Sequence, residues 1–246
     1  MSRTFSIANQ KGGVGKTTTA INLAAALARS GARTLLVDLD PQCNATSGLG
    51  LIPITDHPLA TGAPLRDAIN NTAVAGLDLL PGSRSYRDVA YLAQGDAVAA
   101  VTLERQMSAG LAGYDYALFD CPPSLGRLTE IALSISDEVL MPIQCEYFAM
   151  EGLTEMIQVI GRIIHQSRRL KFGGIVLTMY DPALELTGEV DAEVREFFGD
   201  IVFQTVIPRD VAVSEAPSHG QSVLDYAPRS RGARAYVELC LEVLET

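Results

Sequence analysis

The chain has 246 residues, a formal net charge of −10 and a sequence pI near 4.8. Its 48% hydrophobic content excludes a disordered chain, and its acidic balance disfavours a protein that coats DNA with bulk positive charge. The first ten residues carry no long apolar run and no stretch of 18 apolar residues occurs, so we expect neither a signal peptide nor a membrane span. Only three of the 19 basic residues are lysines, and two of them, Lys11 and Lys16, lie in one glycine-rich stretch.

The four cysteines are widely spaced along the chain. They are Cys43, Cys121, Cys145 and Cys240, with no CxxC pair among them and no histidine nearby. This spacing predicts reduced thiols in a cytoplasmic protein rather than a disulfide framework or a zinc site.

Short apolar runs alternate with helical patterns along the chain. The predicted strands are residues 5–8, 34–37, 77–80, 116–119, 138–141 (closed by Pro142), 174–177 and 202–207. The predicted helices are residues 17–29, 86–93, 98–111, 148–169, 184–198 and 234–244. Strands separated by helices predict right-handed βαβ units, and therefore an α/β fold with a mostly parallel, twisted sheet flanked by helices. We expect a single domain over residues 1–246, with loops and short helices at 43–71.

The strongest motif lies in residues 10–18, which have the sequence Gln-Lys-Gly-Gly-Val-Gly-Lys-Thr-Thr. It follows the first predicted strand and opens the first predicted helix, which is the context of a phosphate-binding P-loop. Glycines let successive backbone N–H groups converge on an anion, and the helix N-terminus adds partial positive charge. The predicted nucleotide-binding residues are Gly12, Gly13, Val14, Gly15, Lys16, Thr17 and Thr18. Lys16 would reach the β- and γ-phosphates of ATP, and the Thr17 hydroxyl would bind Mg²⁺.

Aspartates follow two of the predicted strands. Asp38 and Asp40 follow the second strand, and Asp120 ends the strand at 116–119. Ligands of open α/β sheets sit beyond the carboxyl ends of the strands, so these carboxylates are expected to face the phosphate site. Asp120 matches the Walker B position and is predicted to hold Mg²⁺, whereas Asp38 either holds Asp40 and its loop or simply caps the strand. The loops 41–47 and 121–127 are predicted to be switches that sense the γ-phosphate.

The loop departs from the standard P-loop, because the first glycine of that motif is missing and a second lysine, Lys11, stands at the start of the loop. In this it resembles the deviant Walker A ATPases of the ParA/MinD type, whose loop is KGGxGKT. The resemblance implies that Lys11 reaches across a homodimer to the partner's nucleotide, that Lys16 acts within its own subunit, and that Asp40 orients or activates the attacking water. Further segments at 80–83, 144–152, 177–181, 207–209 and 214–220 are similar to the chromosomal ParA branch, also called Soj.

The same resemblance implies an adenine site in the segments that follow the last two strands. The matching residues are Met179, Pro208, Arg209 and Asp210, and Asp210 stands where Asn is usual. The chain begins directly at the first strand, so we do not expect the operator-specific repression that larger plasmid relatives perform. Its last helical segment, 237–242, is acidic, which argues against MinD-like membrane attachment.

ParA proteins bind DNA without sequence preference after ATP has dimerised them, and phosphate contacts would come from basic side chains. The DNA-binding candidates are Arg195, Arg229, Arg231 and Arg234, with a second basic cluster at Arg162, Arg168, Arg169 and Lys171. Gln221 stands where the family often has Lys, so we expect weak, salt-sensitive binding. The resemblance also implies a ParB-like centromere-binding partner, whose basic N-terminal peptide an acidic surface would attract.

The sequence therefore predicts a slow ATPase that converts ATP and water to ADP and phosphate. It would act as a dimerising switch in chromosome or plasmid segregation, in the cytoplasm and on the nucleoid. Three alternatives remain open: a MinD-like division-site ATPase, a reductase like the nitrogenase iron protein, and a small-molecule kinase or ligase. The reductase would need Cys121 and Cys145 as iron–sulfur ligands.

Overall fold

A computed structural model describes residues 2–86, 97–124, 126–146, 151–167 and 169–245. Within these ranges the strands are β1 (Arg3–Ile7), β2 (Thr34–Asp38), β3 (Asn70–Asn71), β4 (Leu77–Leu80), β5 (Tyr116–Asp120), β6 (Glu138–Gln144), β7 (Lys171–Tyr180) and β8 (Val202–Pro208). All of them belong to one sheet with the order β3-β4-β2-β5-β1-β6-β7-β8. Every neighbouring pair is parallel except β3 and β4, which are antiparallel. The predicted mostly parallel α/β fold is confirmed.

Helices cover both faces of this sheet. They are α1 (Lys16–Arg29), α2 (Asn44–Gly48), α3 (Pro58–Thr61), α4 (Ala97–Gly110), α5 (Arg127–Ile135), α6 (Glu151–Ser167), α7 (Glu185–Phe198), α8 (Val211–Glu215), α9 (Val223–Tyr226) and α10 (Arg231–Glu245). Short 3₁₀ turns occur at Leu65–Asp67, Gly199–Ile201 and Ala216–His219. No helix in the described ranges is both long and apolar enough to span a membrane.

Alternating strand residues divide the core into two layers. Leu36 and Leu118 pack in the apolar cluster that contains α1 and α10. Their neighbours Val37 and Phe119 pack in the cluster on the other side of the sheet, with residues of α4, α5 and α6. Both faces of the central strands are therefore covered, which explains why these strands are apolar throughout rather than alternating with polar residues.

Most predicted elements form at nearly the predicted bounds, with three exceptions. The helix predicted at 86–93 lies outside the described residues apart from Tyr86, and the helix predicted at 148–169 is described only for 151–167 and Arg169. Helix α5 was not among the predicted helices, although its buried residues Leu128, Ile131, Ala132 and Ile135 have helical spacing. This nine-residue helix begins at Arg127, the last residue of the predicted switch loop 121–127.

The prediction that Pro142 closes its strand is wrong, because β6 continues to Gln144. The Leu140 carbonyl faces β1 and accepts from the Ala8 N–H at 3.1 Å. Two residues later Pro142 faces the same side, but β1 has ended, and the Asn9 side-chain amide donates to the Pro142 carbonyl at 2.8 Å. Proline is tolerated inside this strand since its missing N–H faces no neighbouring strand.

Candidate nucleotide site at the carboxyl edge of the sheet

The P-loop connects the end of β1 to the start of α1. Gly13 and Gly15 have φ values of 78° and 88°, in the left-handed region that glycine adopts without strain. The Thr178 hydroxyl on β7 supports the loop from below: it lies 2.8 Å from the Val14 carbonyl oxygen, to which it donates, and 3.1 Å from that of Ile143. Sequence analysis did not single out Thr178, since only the sheet order brings β7 beside the loop.

Lys16 is buried at the base of the loop, with 7% of its surface exposed. Its Nζ donates to the Lys11 carbonyl at 2.8 Å. Burial lowers the pKa of Lys16, and the carboxylates of Asp120 and Asp40 oppose that shift. An ammonium group in such a place gains most from an anionic ligand, because its own hydration has been removed.

Lys11 differs from Lys16 in its surroundings. Its side chain is about one-third exposed, and its Nζ lies 3.8 Å from the half-exposed Glu146 carboxylate. The Asn9 side chain accepts from the Lys11 backbone N–H at 3.0 Å. The two lysines of the loop are therefore one buried cation and one accessible cation.

Asp120 is fully buried at the end of β5. Among the described residues neither of its carboxylate oxygens has a hydrogen-bond partner. Burial raises its pKa well above the usual range, with a further contribution from Asp38. The nearby Thr17 hydroxyl opposes this rise in pKa, although it makes no hydrogen bond to either carboxylate oxygen. Two unsatisfied acceptor oxygens beside a hydroxyl fit a hard divalent cation such as Mg²⁺.

Asp38 and Asp40 have different environments, although they are two residues apart. Asp38 is fully buried and accepts from the Thr46 N–H and hydroxyl at 2.8 and 2.6 Å and from the Asp40 N–H at 3.2 Å. The Asp40 carboxylate receives one hydrogen bond, from the Gln42 N–H to Oδ1 at 2.8 Å, and its Oδ2 receives none from the described residues. Asp38 therefore holds the loop, and Asp40 keeps an oxygen for a ligand.

Two adjacent cavities open at this edge. The first, of about 240 Å³, is lined by Gly12, Gly13, Gly15, Lys16, Thr17, Thr18, Asp40, Gln42, Asn44, Pro123 and Met179. The second, of about 130 Å³, is lined by Gly15, Thr18, Thr178, Met179, Ile207, Pro208, Arg209, Asp210, Val213, Ser214 and Tyr236. The first cavity brings the loop together with Asp40, and the second brings together the four predicted adenine residues. Met179, in the left-handed region with a φ of 52°, lies at the boundary of the two.

The Asp210 carboxylate is committed within the fold. One oxygen accepts from the Ala212 N–H at 3.0 Å and caps α8, and the other accepts from the Gly232 N–H of α10 at 2.8 Å. This position therefore joins two helices beside the second cavity.

The basic candidates fall into two groups. Arg195 is half-buried, pairs with Asp191 at 2.6 Å and donates to the Phe203 carbonyl at 3.1 Å, so the fold already uses its guanidinium. Arg229, Arg231 and Arg234 are exposed together at the start of α10. In the second cluster Arg162 and Lys171 are exposed, Arg169 pairs with Asp137 at 2.9 Å, and Arg168 lies outside the described residues.

The two cysteines that a reductase would need are deeply placed. Cys121 and Cys145 are 1% and 6% exposed, and burial raises the pKa of both thiols, that of Cys145 to about 12. Cluster ligands are thiolates, which this environment disfavours. Within the described ranges no group of three or more His, Cys, Asp or Glu side chains is arranged to hold a metal.

Comparisons with known proteins identify the family to which this chain belongs. A family described as an AAA domain matches residues 2–172. The chain is 45% identical to the sporulation initiation inhibitor protein Soj of Bacillus subtilis over 250 aligned residues, covering 99% of this chain and 98% of that protein. It is 45% identical to the chromosome partitioning protein ParA of Caulobacter vibrioides, covering 98% and 94%.

Among solved structures, the cobyrinic acid a,c-diamide synthase of Mycobacterium smegmatis, with bound ATP analog and magnesium, is similar with a TM-score of 0.86. It is 31% identical, and the match covers 100% of this chain and 95% of that one. The identity to Soj and ParA is higher and also runs over nearly the full length. The chain belongs to the Soj/ParA family of chromosome-partitioning ATPases.

Proposed function

We propose that this protein is a Mg²⁺-dependent ATPase switch that couples ATP-driven dimerisation to DNA binding during chromosome or plasmid segregation. The observation that carries the proposal is a buried cation that lines the first cavity and lies within electrostatic reach of a buried, unsatisfied carboxylate. Lys16 and Thr17 line that cavity, and Asp120 influences the pKa of Lys16. Phosphate oxygens would satisfy Lys16, and a cation bound to the same phosphates would satisfy Asp120.

The residues of the site then divide the work of hydrolysis. The loop, Lys16 and Thr18 would bind the phosphates, Thr17 and Asp120 would hold Mg²⁺, and Asp40 would orient the attacking water with its remaining carboxylate oxygen. Mg²⁺, when bound, neutralises charge that develops on the phosphates. The ribose and adenine would extend past Met179 into the second cavity.

Lys11 supplies the dependence on dimerisation. Its accessible ammonium would leave Glu146 and reach the nucleotide of a second subunit, as a charge supplied in trans does in other phosphate-transferring enzymes. Hydrolysis would therefore wait for two nucleotide-loaded subunits to meet, which accounts for a slow intrinsic rate.

The test of the switch is the size of the protein by light scattering with ADP, ATP and no nucleotide, each with and without DNA. Dimers only with ATP are expected. Lys16→Ala should abolish nucleotide binding, while Asp40→Ala should keep ATP-dependent dimers and lose hydrolysis about 100-fold or more. Tight ATP binding by Lys16→Ala, or full turnover by Asp40→Ala, would refute these roles.

DNA binding is assigned to the exposed arginines at the start of α10. The change of Arg229, Arg231 and Arg234 to Gln is expected to weaken ATP-dependent filter binding and to flatten its salt dependence, since each lost phosphate contact lowers the slope by about one. A control of equal charge changes the exposed Arg33, Arg66 and Arg105 to Gln and should retain binding. Strong DNA binding by the nucleotide-free monomer would contradict the proposal.

A basic N-terminal peptide of a ParB-like partner is the proposed stimulator of hydrolysis, attracted by a chain of net charge −10. Its effect is measured as the rise in ATPase rate with partner and DNA present. Hydrolysis stimulated by DNA without a small-molecule substrate would separate this function from a synthase of the type found among the similar structures. A coloured iron–sulfur protein would favour the reductase, and ATP-dependent binding to anionic vesicles would favour the division-site ATPase.

A further inference from the structure

A buried histidine and a buried tyrosine lie next to the carboxyl end of β2, and neither lines the two nucleotide cavities. His57 and Tyr86 are both 0% exposed, and their rings meet edge to face with centroids 4.7 Å apart. His57 precedes α3, and Tyr86 belongs to the segment after β4. Neither residue contributes to the P-loop, the metal residues or the second cavity.

Hydrogen bonds link this pair to the end of β2. The Leu59 N–H donates to His57 Nδ1 at 3.1 Å, His57 Nε2 lies 2.9 Å from the Tyr86 hydroxyl, and that hydroxyl lies 2.8 Å from the Asp38 carbonyl oxygen. A backbone N–H only donates, so Nδ1 is the acceptor and the proton of the neutral ring is on Nε2. His57 therefore donates to Tyr86, and Tyr86 donates to Asp38.

The protonation states agree with this direction. Burial lowers the pKa of His57 to about 4, so the ring is neutral at physiological pH. Burial also raises the pKa of Tyr86 well above its usual range, so the hydroxyl keeps its proton. The backbone carbonyl of Pro81 also acts on the His57 ring and opposes the lowering of its pKa. The other neutral tautomer would leave the Leu59 N–H without its acceptor.

The same region is tied to the loop that carries Asp40. The Gly82 N–H donates to the Thr46 hydroxyl oxygen at 2.7 Å, and Thr46 in turn donates to the Asp38 carboxylate. The Ile54 N–H donates to the Gly82 carbonyl at 3.0 Å. Asp38 is thus held on both sides, at its carboxylate by Thr46 and at its carbonyl by Tyr86, and its carboxylate accepts from the Asp40 N–H.

We propose that His57 and Tyr86 are positioning residues that hold the end of β2, and through Asp38 fix the Asp40 carboxylate in the geometry for hydrolysis. The proposal rests on the proposed ATPase function. Neither residue touches the nucleotide cavities, so the pair is expected to affect turnover and not ATP affinity. A misplaced group of this kind lowers kcat because the water that Asp40 orients is no longer aligned.

The first test is Tyr86→Phe, which keeps the ring and removes the hydroxyl. A fivefold to tenfold lower kcat is expected, roughly the effect of one lost hydrogen bond, with KM for ATP changed less than twofold. Tyr114→Phe is the matched control. The Tyr114 hydroxyl donates to Asp78 at 2.8 Å near the amino-terminal ends of the strands, away from the carboxyl ends that carry the site. This variant should leave both constants unchanged.

Two substitutions of His57 separate its two hydrogen bonds. His57→Asn retains an acceptor for the Leu59 N–H but does not reach Tyr86, and should lower kcat as Tyr86→Phe does. His57→Gln places an amide near the position of Nε2 and loses the contact with Leu59, and it should keep most of the wild-type kcat. A merely structural role would predict rates that follow the thermal midpoints of the two variants instead.

Hydrogen exchange of the nucleotide-free protein provides a readout independent of activity. In Tyr86→Phe the amides of residues 39–50 are expected to exchange about fivefold faster. They include the Thr46 N–H, which donates to the Asp38 carboxylate. Unchanged exchange there, or an unchanged kcat, would overturn the proposal. A wild-type protein without ATPase activity would overturn the proposed function, while the exchange result would still decide whether the pair holds β2.

Discussion

Asp38 and Asp120 end neighbouring strands, are register partners between β2 and β5, and are both fully buried. The Asp38 carboxylate accepts three hydrogen bonds from the segment that follows it. The Asp120 carboxylate accepts none from the described residues. A buried carboxylate costs free energy unless it is paired, so the fold compensates Asp38 internally and leaves the Asp120 carboxylate without a partner among the described residues. The two aspartates therefore have opposite environments, although both end a strand.

The same contrast is visible in their pKa values. Burial raises the pKa of Asp38 to about 6, and the hydrogen bonds from Thr46 limit the shift. Burial also raises the pKa of Asp120 well above its usual range, and the neighbouring Asp38 contributes. Both carboxylates are buried, so it is their hydrogen bonds that distinguish them.

The largest effect is expected from Asp120→Asn. Hydrolysis should fall about 100-fold or more, because the proposed Mg²⁺ ligand loses its charge, and the concentration of Mg²⁺ for half-maximal rate should rise. In the nucleotide-free protein with EDTA, the free energy of unfolding in urea should increase by about 1 kcal/mol, since a buried unsatisfied carboxylate is removed. Loss of both activity and stability would break the contrast with Asp38.

The pH dependence of unfolding tests the region behind Asp38. The pKa of His57 is about 4 in the folded protein and near 6.5 when unfolded, so protons bind the unfolded chain first. Stability from the neutral ring is present above pH 6.5 and is lost as the pH falls towards 4, by up to about 3 kcal/mol. The difference between wild type and His57→Gln isolates this contribution, because Asp38 titrates in both. A pH-independent difference would contradict the neutral, buried ring.

Asp38→Asn is expected to act in the opposite way to Asp120→Asn. An amide retains one acceptor, so it loses part of the contacts with Thr46 and Asp40, and stability should fall by about 2 kcal/mol. Urea denaturation of both variants in the presence of EDTA measures the sign of each change in the free energy of unfolding. Equal signs for the two variants would show that their environments do not differ in the way described.

Gly82→Ala gives the smallest expected effect. A Cβ at this position would lie 2.9 Å from the Asp38 carboxylate and 3.1 Å from the Cys43 sulfur, so the loop must shift. A loss of about 1 kcal/mol is expected in the free energy of unfolding. Gly161→Ala in α6 is the control, where a Cβ meets no atom within 4 Å and the substitution should stabilise the helix. Equal stability of the two variants would contradict the close approach at Asp38.

Local residue patterns predicted a large part of this protein. The glycines and Lys16 between a strand and a helix predicted the phosphate loop, and apolar runs predicted the sheet. The position of Asp120 at a strand end predicted where its carboxylate would lie. Pro142 was misinterpreted because a proline inside a strand is acceptable only where a neighbouring strand has ended, and β1 is distant in the sequence.

What only the tertiary structure decided is which polar groups are satisfied. Thr46 and Tyr86 contact Asp38 from different segments, and His57 contacts Tyr86. The Arg195 guanidinium donates to the Phe203 carbonyl, so one aspartate and one candidate DNA contact are already used. Sequence spacing determines the elements because their hydrogen bonds and periodicity are local. Hydrogen-bond partners depend on segments brought together by folding, and they separate the satisfied carboxylate of Asp38 from the unsatisfied carboxylate of Asp120.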